Sequence, residues 1–251
     1  MKFSVVIPMY NGEKFIANTL DSVKSQTFKD FEVIVVNDGS TDRSIAVVDA
    51  YKKKGDLPIV LISQKNSGLG SARNLGILHA RGEYIALLDQ DDIWYPEKLN
   101  AVAGATADVI YHAQHVRRAG NILRTLRSKN YKDMSESLFW RNDLSGSTVC
   151  FKKKILEKVG GFAEDLLFVE DYDLWLRMAD MGVEFFYLDT VLGERIIHGS
   201  NFSNQIRVMR KNEIKVIKKY LPSWKSVRLI RLGILHLKYL RQQICNYLTL
   251  T

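Results

Sequence analysis

Three carboxylates stand together where an apolar run ends, in the segment Leu87-Leu88-Asp89-Gln90-Asp91-Asp92. Acidic side chains this close repel one another unless a cation or hydrogen-bond donors neutralise them, and hard oxygen donors suit Mg²⁺ or Mn²⁺. Alternate residues of an extended strand share a face, so Asp89 and Asp91 are expected to point the same way as candidate metal ligands. The alternative is a solvated turn in which Asp92 caps the following segment.

Two more polar segments follow apolar runs. Asn37-Asp38-Gly39-Ser40-Thr41-Asp42 comes directly after a β-branched run, where Asp38 is placed to accept a hydrogen bond from a uracil imide N–H. Turn and helix-capping chemistry accounts for this segment equally well. Residues 67 to 74 form a glycine-bearing loop that opens a helix, although its glycine spacing is not that of a dinucleotide fingerprint. Arg73 in this loop contacts a base or ribose, or pairs with neighbouring side chains.

The second half of the chain adds two candidate groups. Glu170-Asp171-Tyr172-Asp173 precedes a helical stretch, and acids in a first helical turn are favoured by the helix dipole without any catalytic role. The functional alternative is that one of these carboxylates deprotonates an acceptor hydroxyl. His198 follows a strand-like run and is either a ligand of the metal or a diphosphate, or a structural histidine.

Strands and helices that alternate along the chain must position these groups. Apolar periodicity predicts strands at 1–9, 31–36, 59–62 and 84–88, with helices at 15–25, 44–54 and 70–80 between them. Such alternation predicts an α/β fold with a Rossmann-like, mostly parallel sheet and helices on both faces. The polar loops leave the carboxyl ends of strands and should therefore converge on one cleft. Past Trp94 the pattern is less regular. No element is assigned to 112–132, but a strand is predicted at 147–151 and a helix at 171–180.

Positive charge is concentrated in the C-terminal part of the chain. Residues 205–251 carry 11 Lys or Arg and a single acid, Glu213, so the net charge of +8 leaves residues 1–204 slightly acidic. This distribution argues against a nucleic-acid-binding surface on the main domain. Two helices are predicted, at 211–220 and 225–248, and the second is basic and amphipathic. It rests on an anionic membrane surface, or it packs on the main domain or on a second subunit of a homodimer.

No signal peptide is predicted at the start of this sequence, and no run of about 18 apolar residues is present to span a bilayer. A cytoplasmic protein is the resulting expectation, with peripheral contact to the inner face of the membrane through 205–251.

In order along the chain, these segments resemble the motifs of the family 2 glycosyltransferases. The resemblance covers roughly residues 1–205 and includes Ser4 to Gly12, Val36 to Asp42, Asn66 to Gly76, Leu88 to Trp94, Gly160-Gly161-Phe162 and Glu170 to Arg177. It implies the A-type glycosyltransferase fold, with a catalytic domain at 1–204 made of a nucleotide-binding half (1–100) and an acceptor-binding half (101–204), followed by C-terminal helices at 205–251.

The resemblance also implies residue roles. Asp38 contacts the base in a pocket lined by Pro8, Tyr10 and Asn11, and Arg73 also contacts the nucleotide.

For the reaction centre, the resemblance implies that Asp89 and Asp91 hold ribose and metal, with Asp91 as the better candidate for direct coordination. His198 is added as a candidate metal ligand from the sequence itself and not from the resemblance. Asp171 acts as the general base, and Glu170 is the competing assignment.

The implied reaction is a single inverting transfer of a hexosyl or N-acetylhexosaminyl group. The donor is a nucleoside diphosphate sugar, most simply UDP-linked, and the acceptor is a glycan or lipid-linked hydroxyl. Processive synthesis is not favoured because the Gln-x-x-Arg-Trp signature is absent. The rival functions are a catalytically inactive nucleotide-sugar-binding scaffold and a sugar nucleotidyltransferase. The latter should carry a basic glycine-rich loop after its first strand, a position that Pro8-Met9-Tyr10-Asn11 fills poorly.

Overall fold

The first half of the chain alternates strands and helices as predicted. The computed structural model describes residues 1–140, 142–199, 201, 206–220 and 233. Its first seven elements are β1 (Phe3–Met9), α1 (Ile16–Lys24), β2 (Phe31–Asp38), α2 (Ser44–Lys54), β3 (Ile59–Gln64), α3 (Leu69–His79) and β4 (Tyr84–Leu87). All four strands run parallel in the order β3-β2-β1-β4. Their carboxyl ends therefore meet at one edge of the sheet, which carries the polar loops.

The second half extends the same sheet with strands of mixed direction. Its elements are β5 (Ile93–Trp94), α4 (Lys98–Ala103), β6 (Val109–Arg118), β7 (Asn121–Leu126), α5 (Met134–Trp140), β8 (Cys150–Lys152), α6 (Leu156–Val159), α7 (Glu170–Asp180), β9 (Phe185–Ile197) and α8 (Ile206–Lys219). β8 pairs antiparallel with β4 and β6, whereas β9 runs parallel to β6 and antiparallel to β5. The nine strands of the described residues thus form one sheet, in which β7 pairs with β6.

One predicted strand is shorter in the structure than in the sequence pattern. The predicted strand at 147–151 begins instead as a single 3₁₀ turn, Gly146–Thr148, and only Cys150–Lys152 pairs with the sheet. Ser147 lies in this turn, where its hydroxyl bonds to the carboxylate loop after β4.

Helices cover both faces of the sheet, which confirms the predicted layering. Successive residues of β1 point to opposite faces, so Val6 belongs to one core, together with Trp175 of α7, and Val5 belongs to the other, together with Leu20 of α1. Both cores are fully buried at these positions. A parallel strand buried on both faces is mostly apolar, which explains the run Val5-Val6-Ile7 in β1.

Of the two predicted C-terminal helices, the first is present as α8. It packs on the main core through Val216 and Ile217, both almost fully buried. The second, at 225–248, lies outside the described residues except for residue 233, and the contact it was predicted to make stays a prediction. Among the helices that the structure describes, none combines the length and apolar character needed to cross a bilayer.

Candidate functional site

A cleft of about 1250 Å³ opens at the carboxyl edge of the parallel strands. Every residue singled out from the sequence lines it: Pro8, Tyr10, Asn11, Asp38, Arg73, Asp89, Asp91, Glu170, Asp171 and His198. The predicted convergence of loops from distant parts of the chain is therefore observed.

The loop after β1 is fastened to the carboxylate loop by a side chain that the sequence analysis passed over. Gln90 accepts a hydrogen bond from the Tyr10 N–H and donates one to the Tyr10 carbonyl, each at 3.0 Å. The close approach requires glycine at position 12, because a Cβ there would lie 2.2 Å from Gln90 Oε1. Pro8, Tyr10 and Asn11 are thus held in fixed positions beside Asp89 and Asp91.

Asp38 lies at the end of β2 and is almost fully buried. Its carboxylate accepts hydrogen bonds from Gln64 Nε2 at 2.7 Å and from the backbone N–H groups of Ser67 and Gly68 at 2.8 and 2.9 Å. A carboxylate offers about four lone-pair sites, so one remains for a further donor. Asp38 therefore shapes the glycine-bearing loop and still has capacity to receive a ligand N–H.

Arg73 lies between two acids, which is the pairing alternative that the sequence left open. Its Nη2 donates to Asp89 Oδ1 and its Nη1 to Glu170 Oε1, both at 2.8 Å, and its side chain is 2% exposed. Burial alone would lower the pKa of the guanidinium, but the charges of Asp89, Glu170 and Asp171 raise it overall. Direct contact of Arg73 with a nucleotide stays a prediction, whereas its fixing of two cleft carboxylates is observed.

The neighbouring acids of α7 differ in their surroundings. Glu170 is 2% exposed and holds Arg73, and burial raises its pKa to about 7 despite that positive charge. Asp171 accepts a hydrogen bond from the backbone N–H of Tyr172. Among the described residues, its carboxylate makes no hydrogen bond or ion pair with a side chain. Burial also raises the pKa of Asp171, although the charges of Arg73 and Arg195 act in the opposite direction. Asp171 is thus the acid of this pair that remains available to a ligand.

Asp91 and His198 are in direct contact in the cleft. His198 Nε2 lies 2.8 Å from Asp91 Oδ2, and its ring stacks on Phe15 at 4.1 Å between centroids. Asn201 Nδ2 donates to the same Asp91 oxygen at 3.1 Å. Burial and the charge of Asp89 raise the pKa of Asp91, while His198 lowers it. Within the described part of the chain, no third His, Cys, Asp or Glu completes a three-ligand metal group here.

Asp92 is not a solvated helix cap but a buried connector. Ser147 Oγ donates to Asp92 Oδ2 at 2.6 Å and accepts the Asp89 N–H at 3.1 Å, and the Ile196 N–H donates to Asp92 Oδ1 at 3.1 Å. Burial raises the pKa of Asp92 well above its usual range. One carboxyl thus joins the loop after β4, the turn before β8 and the strand that leads to His198.

Four contributors to this site escaped the sequence analysis: Gln90, Ser147, Arg195 and Asn201. Gln90 and Asn201 stand inside segments that the motifs had marked, so their positions carried a signal. Ser147 and Arg195 had none, because only the folded chain brings Ser147 to Asp92, 55 positions away, and Arg195 to Asp171, 24 positions away.

The profile of the family described as Glycosyl transferase family 2 matches residues 4–160. The chain belongs to this family. An uncharacterized glycosyltransferase of Rickettsia typhi is 30% identical to this chain over 213 residues. The matched region covers 80% of this chain and 65% of the Rickettsia protein. The chain therefore spans slightly less than two thirds of the length of this relative.

Solved structures share the fold of this family 2 member. Residues 1–349 of S. aureus TarS in complex with UDP match 84% of the chain and 65% of that structure, at 26% identity and a TM-score of 0.68. The mannosyltransferase PcManGT of Pyrobaculum calidifontis, in complex with GDP-Man and Mn²⁺, matches 95% of the chain and 69% of that structure, at 22% identity and a TM-score of 0.70. These likenesses confirm the predicted α/β fold class.

Proposed function

We propose that the protein transfers one sugar from a nucleoside diphosphate sugar to an acceptor hydroxyl, with inversion at the anomeric carbon. The observation that carries this proposal is the single cleft in which Asp38, Asp91 and Asp171 meet, each from a different part of the chain. Family membership supports sugar transfer, and the UDP bound to TarS supports a UDP-linked donor. The acceptor is a glycan or a lipid-linked hydroxyl.

The donor nucleotide is assigned to the half of the cleft that β1, β2 and α3 form. Asp38 has one lone-pair site left after its three hydrogen bonds, which suits the imide N–H of uracil. Gln90 holds the backbone of Tyr10 rigid on the other side of the pocket. A rigid pocket loses less entropy on binding, so this bracing favours nucleotide affinity.

A divalent cation, Mg²⁺ or Mn²⁺, fits the donor set at Asp91. Asp91 and His198 are in contact, and the Asp89 side chain is 32% exposed, with one oxygen engaged by Arg73. These ions are commonly held by one or two carboxylates together with substrate phosphates, so a complete protein cage is not required. The Mn²⁺ bound to PcManGT is consistent with this assignment. When bound, the cation supplies Lewis-acid stabilisation of the negative charge on the leaving diphosphate.

Asp171 is assigned as the general base, and Glu170 as the residue that positions Arg73. The Glu170 carboxylate forms a buried ion pair with Arg73, whereas Asp171 faces the cleft without a side-chain partner among the described residues. As the acceptor oxygen forms its bond to the anomeric carbon, Asp171 takes the hydroxyl proton and the bond to the diphosphate oxygen breaks. A raised pKa suits this role because it brings the base closer to the working pH.

The test compares Asp171→Asn with Glu170→Gln in a screen of nucleotide sugars and acceptor glycans with Mg²⁺ or Mn²⁺. We expect Asp171→Asn to bind nucleotide normally by calorimetry while turnover falls about 10² to 10⁴-fold, since that is the usual contribution of a general base. Circular dichroism and thermal melting serve as controls for folding. Loss of nucleotide binding in a folded Asp171→Asn protein would contradict the assignment.

The released product separates the alternatives to this function. A sugar transferase releases nucleoside diphosphate, a nucleotidyltransferase releases pyrophosphate, and a binding scaffold releases neither.

A further inference from the structure

The β6–β7 hairpin forms an exposed projection that the transfer chemistry does not use. Its two strands are joined by Ala119 and Gly120, which both have positive φ, 48° and 83°, as a two-residue hairpin turn requires. β7 pairs with β6, and its first five residues are exposed. The end of this hairpin, residues 117–124, is called the hairpin tip below.

The hairpin and the segment after it carry positive charge only. Residues 109–132 contain no Asp or Glu but six cations, namely Arg117, Arg118, Arg124, Arg127, Lys129 and Lys132. Arg117 and Arg127 form ion pairs with Glu194 and Asp189. The other four make no ion pair with the residues that the structure describes. This concentration stands in contrast to the slightly acidic balance of residues 1–204 as a whole.

Two large apolar side chains are exposed at the same place. Ile122 is 48% exposed and Leu123 is 56% exposed. Because successive strand residues point to opposite faces, these side chains flank the tip on both sides. A flat protein partner would cover one of them and leave the other in water, whereas insertion of the tip into an apolar layer covers both.

We propose that the hairpin tip docks on an anionic lipid surface, with Ile122 and Leu123 at the acyl boundary and the surrounding cations at the level of the headgroups. Apolar side chains flanked by Lys and Arg are the pattern of interfacial membrane contact. An anionic polymer in water would attract the same cations but would give the two apolar side chains nothing to bury against. A second copy of the chain would bring like charges together.

Docking through this tip also orients the cleft. Arg124 and Leu126 of β7 line the cleft, as does Arg127 directly after it, so the same strand forms the tip and part of the cleft wall. The mouth of the cleft therefore lies close to the lipid surface when the tip is inserted. Residues 205–251 remain unchanged in every variant below, so any contribution they make to lipid binding is the same in all of them.

Sedimentation with vesicles tests the contribution of each kind of side chain. The full chain is mixed with phosphatidylglycerol-containing vesicles or with pure phosphatidylcholine vesicles. Each surface cation contributes about fivefold to partitioning, so Arg118→Gln/Arg124→Gln, which removes two exposed cations of the tip, is expected to bind anionic vesicles about 25-fold more weakly. Ile122→Ser/Leu123→Ser is expected to lose about tenfold or more. Lys52→Gln/Lys53→Gln on α2 and Leu78→Ser, whose side chain is 74% exposed on α3, are matched controls and should bind normally.

A depth measurement distinguishes insertion from surface attraction. Tryptophan fluorescence of Leu123→Trp, corrected for the parent protein, should be quenched by lipids brominated on their acyl chains, while that of Leu78→Trp should not. Unchanged sedimentation of both hairpin variants would overturn the proposal. Unquenched fluorescence together with equal binding to soluble dextran sulfate would also overturn it, because that result would identify a site for anionic polymers. Concentration-dependent dimerisation that the same substitutions abolish would overturn it as well.

Discussion

At the scale of single residues, Arg73 connects the two halves of the site. It begins on α3, and its guanidinium reaches Asp89 after β4 and Glu170 at the start of α7. The guanidinium also lies over the ring of Phe162, with 5.3 Å between the carbon and the ring centroid. The buried Glu170, whose ionisation burial opposes, therefore depends on one buried cation, and the loss of that cation should cost more stability than its own packing.

We expect Arg73→Met to lower the free energy of unfolding by about 3 to 5 kcal/mol, because the substitution leaves Glu170 buried without its partner. Urea titration followed by circular dichroism measures the change. Arg127→Gln is the matched control: its ion pair with Asp189 is more than half exposed on both sides. Such pairs contribute about 0 to 1 kcal/mol. Equal effects from the two substitutions would contradict the role given to Arg73.

Arg195 should control the pH dependence of the reaction through Asp171. Burial raises the pKa of the Asp171 carboxyl, and the positive charges of Arg73 and Arg195 restrain that rise. Removing the charge in Arg195→Gln lets the pKa rise further. The base acts only when ionised, so the acidic limb of the plot of kcat/KM against pH should move to higher pH. Measurements of kcat/KM from about pH 5 to 9 test this. Arg124→Gln, also in the cleft wall, is the control. A uniform loss of activity without displacement of the limb would count against this interaction.

At the scale of elements, α3 positions Arg73 because a glycine lets the helix pack tightly on the sheet. A Cβ at Gly76 would lie 2.5 Å from Val6 Cγ1 on β1 and 3.1 Å from Val36 Cγ2 on β2, and both valines are fully buried. The helix can therefore not take a larger residue here unless it moves away from the strands.

We expect Gly76→Ala to destabilise the protein by about 1 kcal/mol, within a range of about 0 to 2. The better helix propensity of alanine favours the variant by about 1 kcal/mol, but overpacking a rigid core costs about 1 to 3. Gly104→Ala is the control, because its nearest neighbour would be 3.6 Å away and no positive φ is involved. A Gly76→Ala protein more stable than the parent would mean that α3 has room to shift. Denaturant titration of both variants decides.

The elements up to β4 were predictable because each buries a periodic apolar pattern. The predicted helix at 44–54 coincides with α2, and the predicted strand at 84–88 differs from β4 by one residue. β6 was not recognised because the sequence becomes polar and basic from His112 onward, although His112 and Gln114 are buried in the structure. The turn after it, Ala119-Gly120, also lacks the Asn-Gly or Asp-Gly signal of a tight hairpin.

Part of the site was predictable, because the ends of the parallel strands determine where its loops lie. Parallel strands bring their carboxyl ends together, so Asp38 and Asp89 could be placed in one cleft from the order of elements alone. The pairing of Arg73 with Glu170 joins residues 97 positions apart, and the position of Ser147 depends on β8 running antiparallel to β4. Neither contact follows from local periodicity, which explains why the loops were located but their internal bonds were not.

At the scale of the whole molecule, α8 is joined to the catalytic core by more than apolar packing. Lys219 Nζ and Tyr220 Oη each donate to Oδ1 of the buried Asp173 at 3.0 Å, while Arg177 holds the other oxygen at 2.8 Å. Asn212 adds a hydrogen bond to the Leu167 carbonyl at 2.9 Å. The predicted domain boundary at residue 204 stays a prediction, and these contacts supply its test.

Two shortened proteins, ending after residue 204 or after residue 220, should differ strongly in stability. The shorter one exposes the core that Val216 and Ile217 cover and removes two donors from Asp173. Burying a large apolar side chain is worth about 1.5 to 3 kcal/mol, so its free energy of unfolding should fall by about 3 to 6 kcal/mol. The longer one keeps the described contacts of α8 and should therefore be more stable than the shorter one by that amount. If urea titration finds the two equally stable, α8 is a separable appendage and the boundary at 204 gains support. If the shorter protein alone is destabilised, the catalytic unit extends to residue 220.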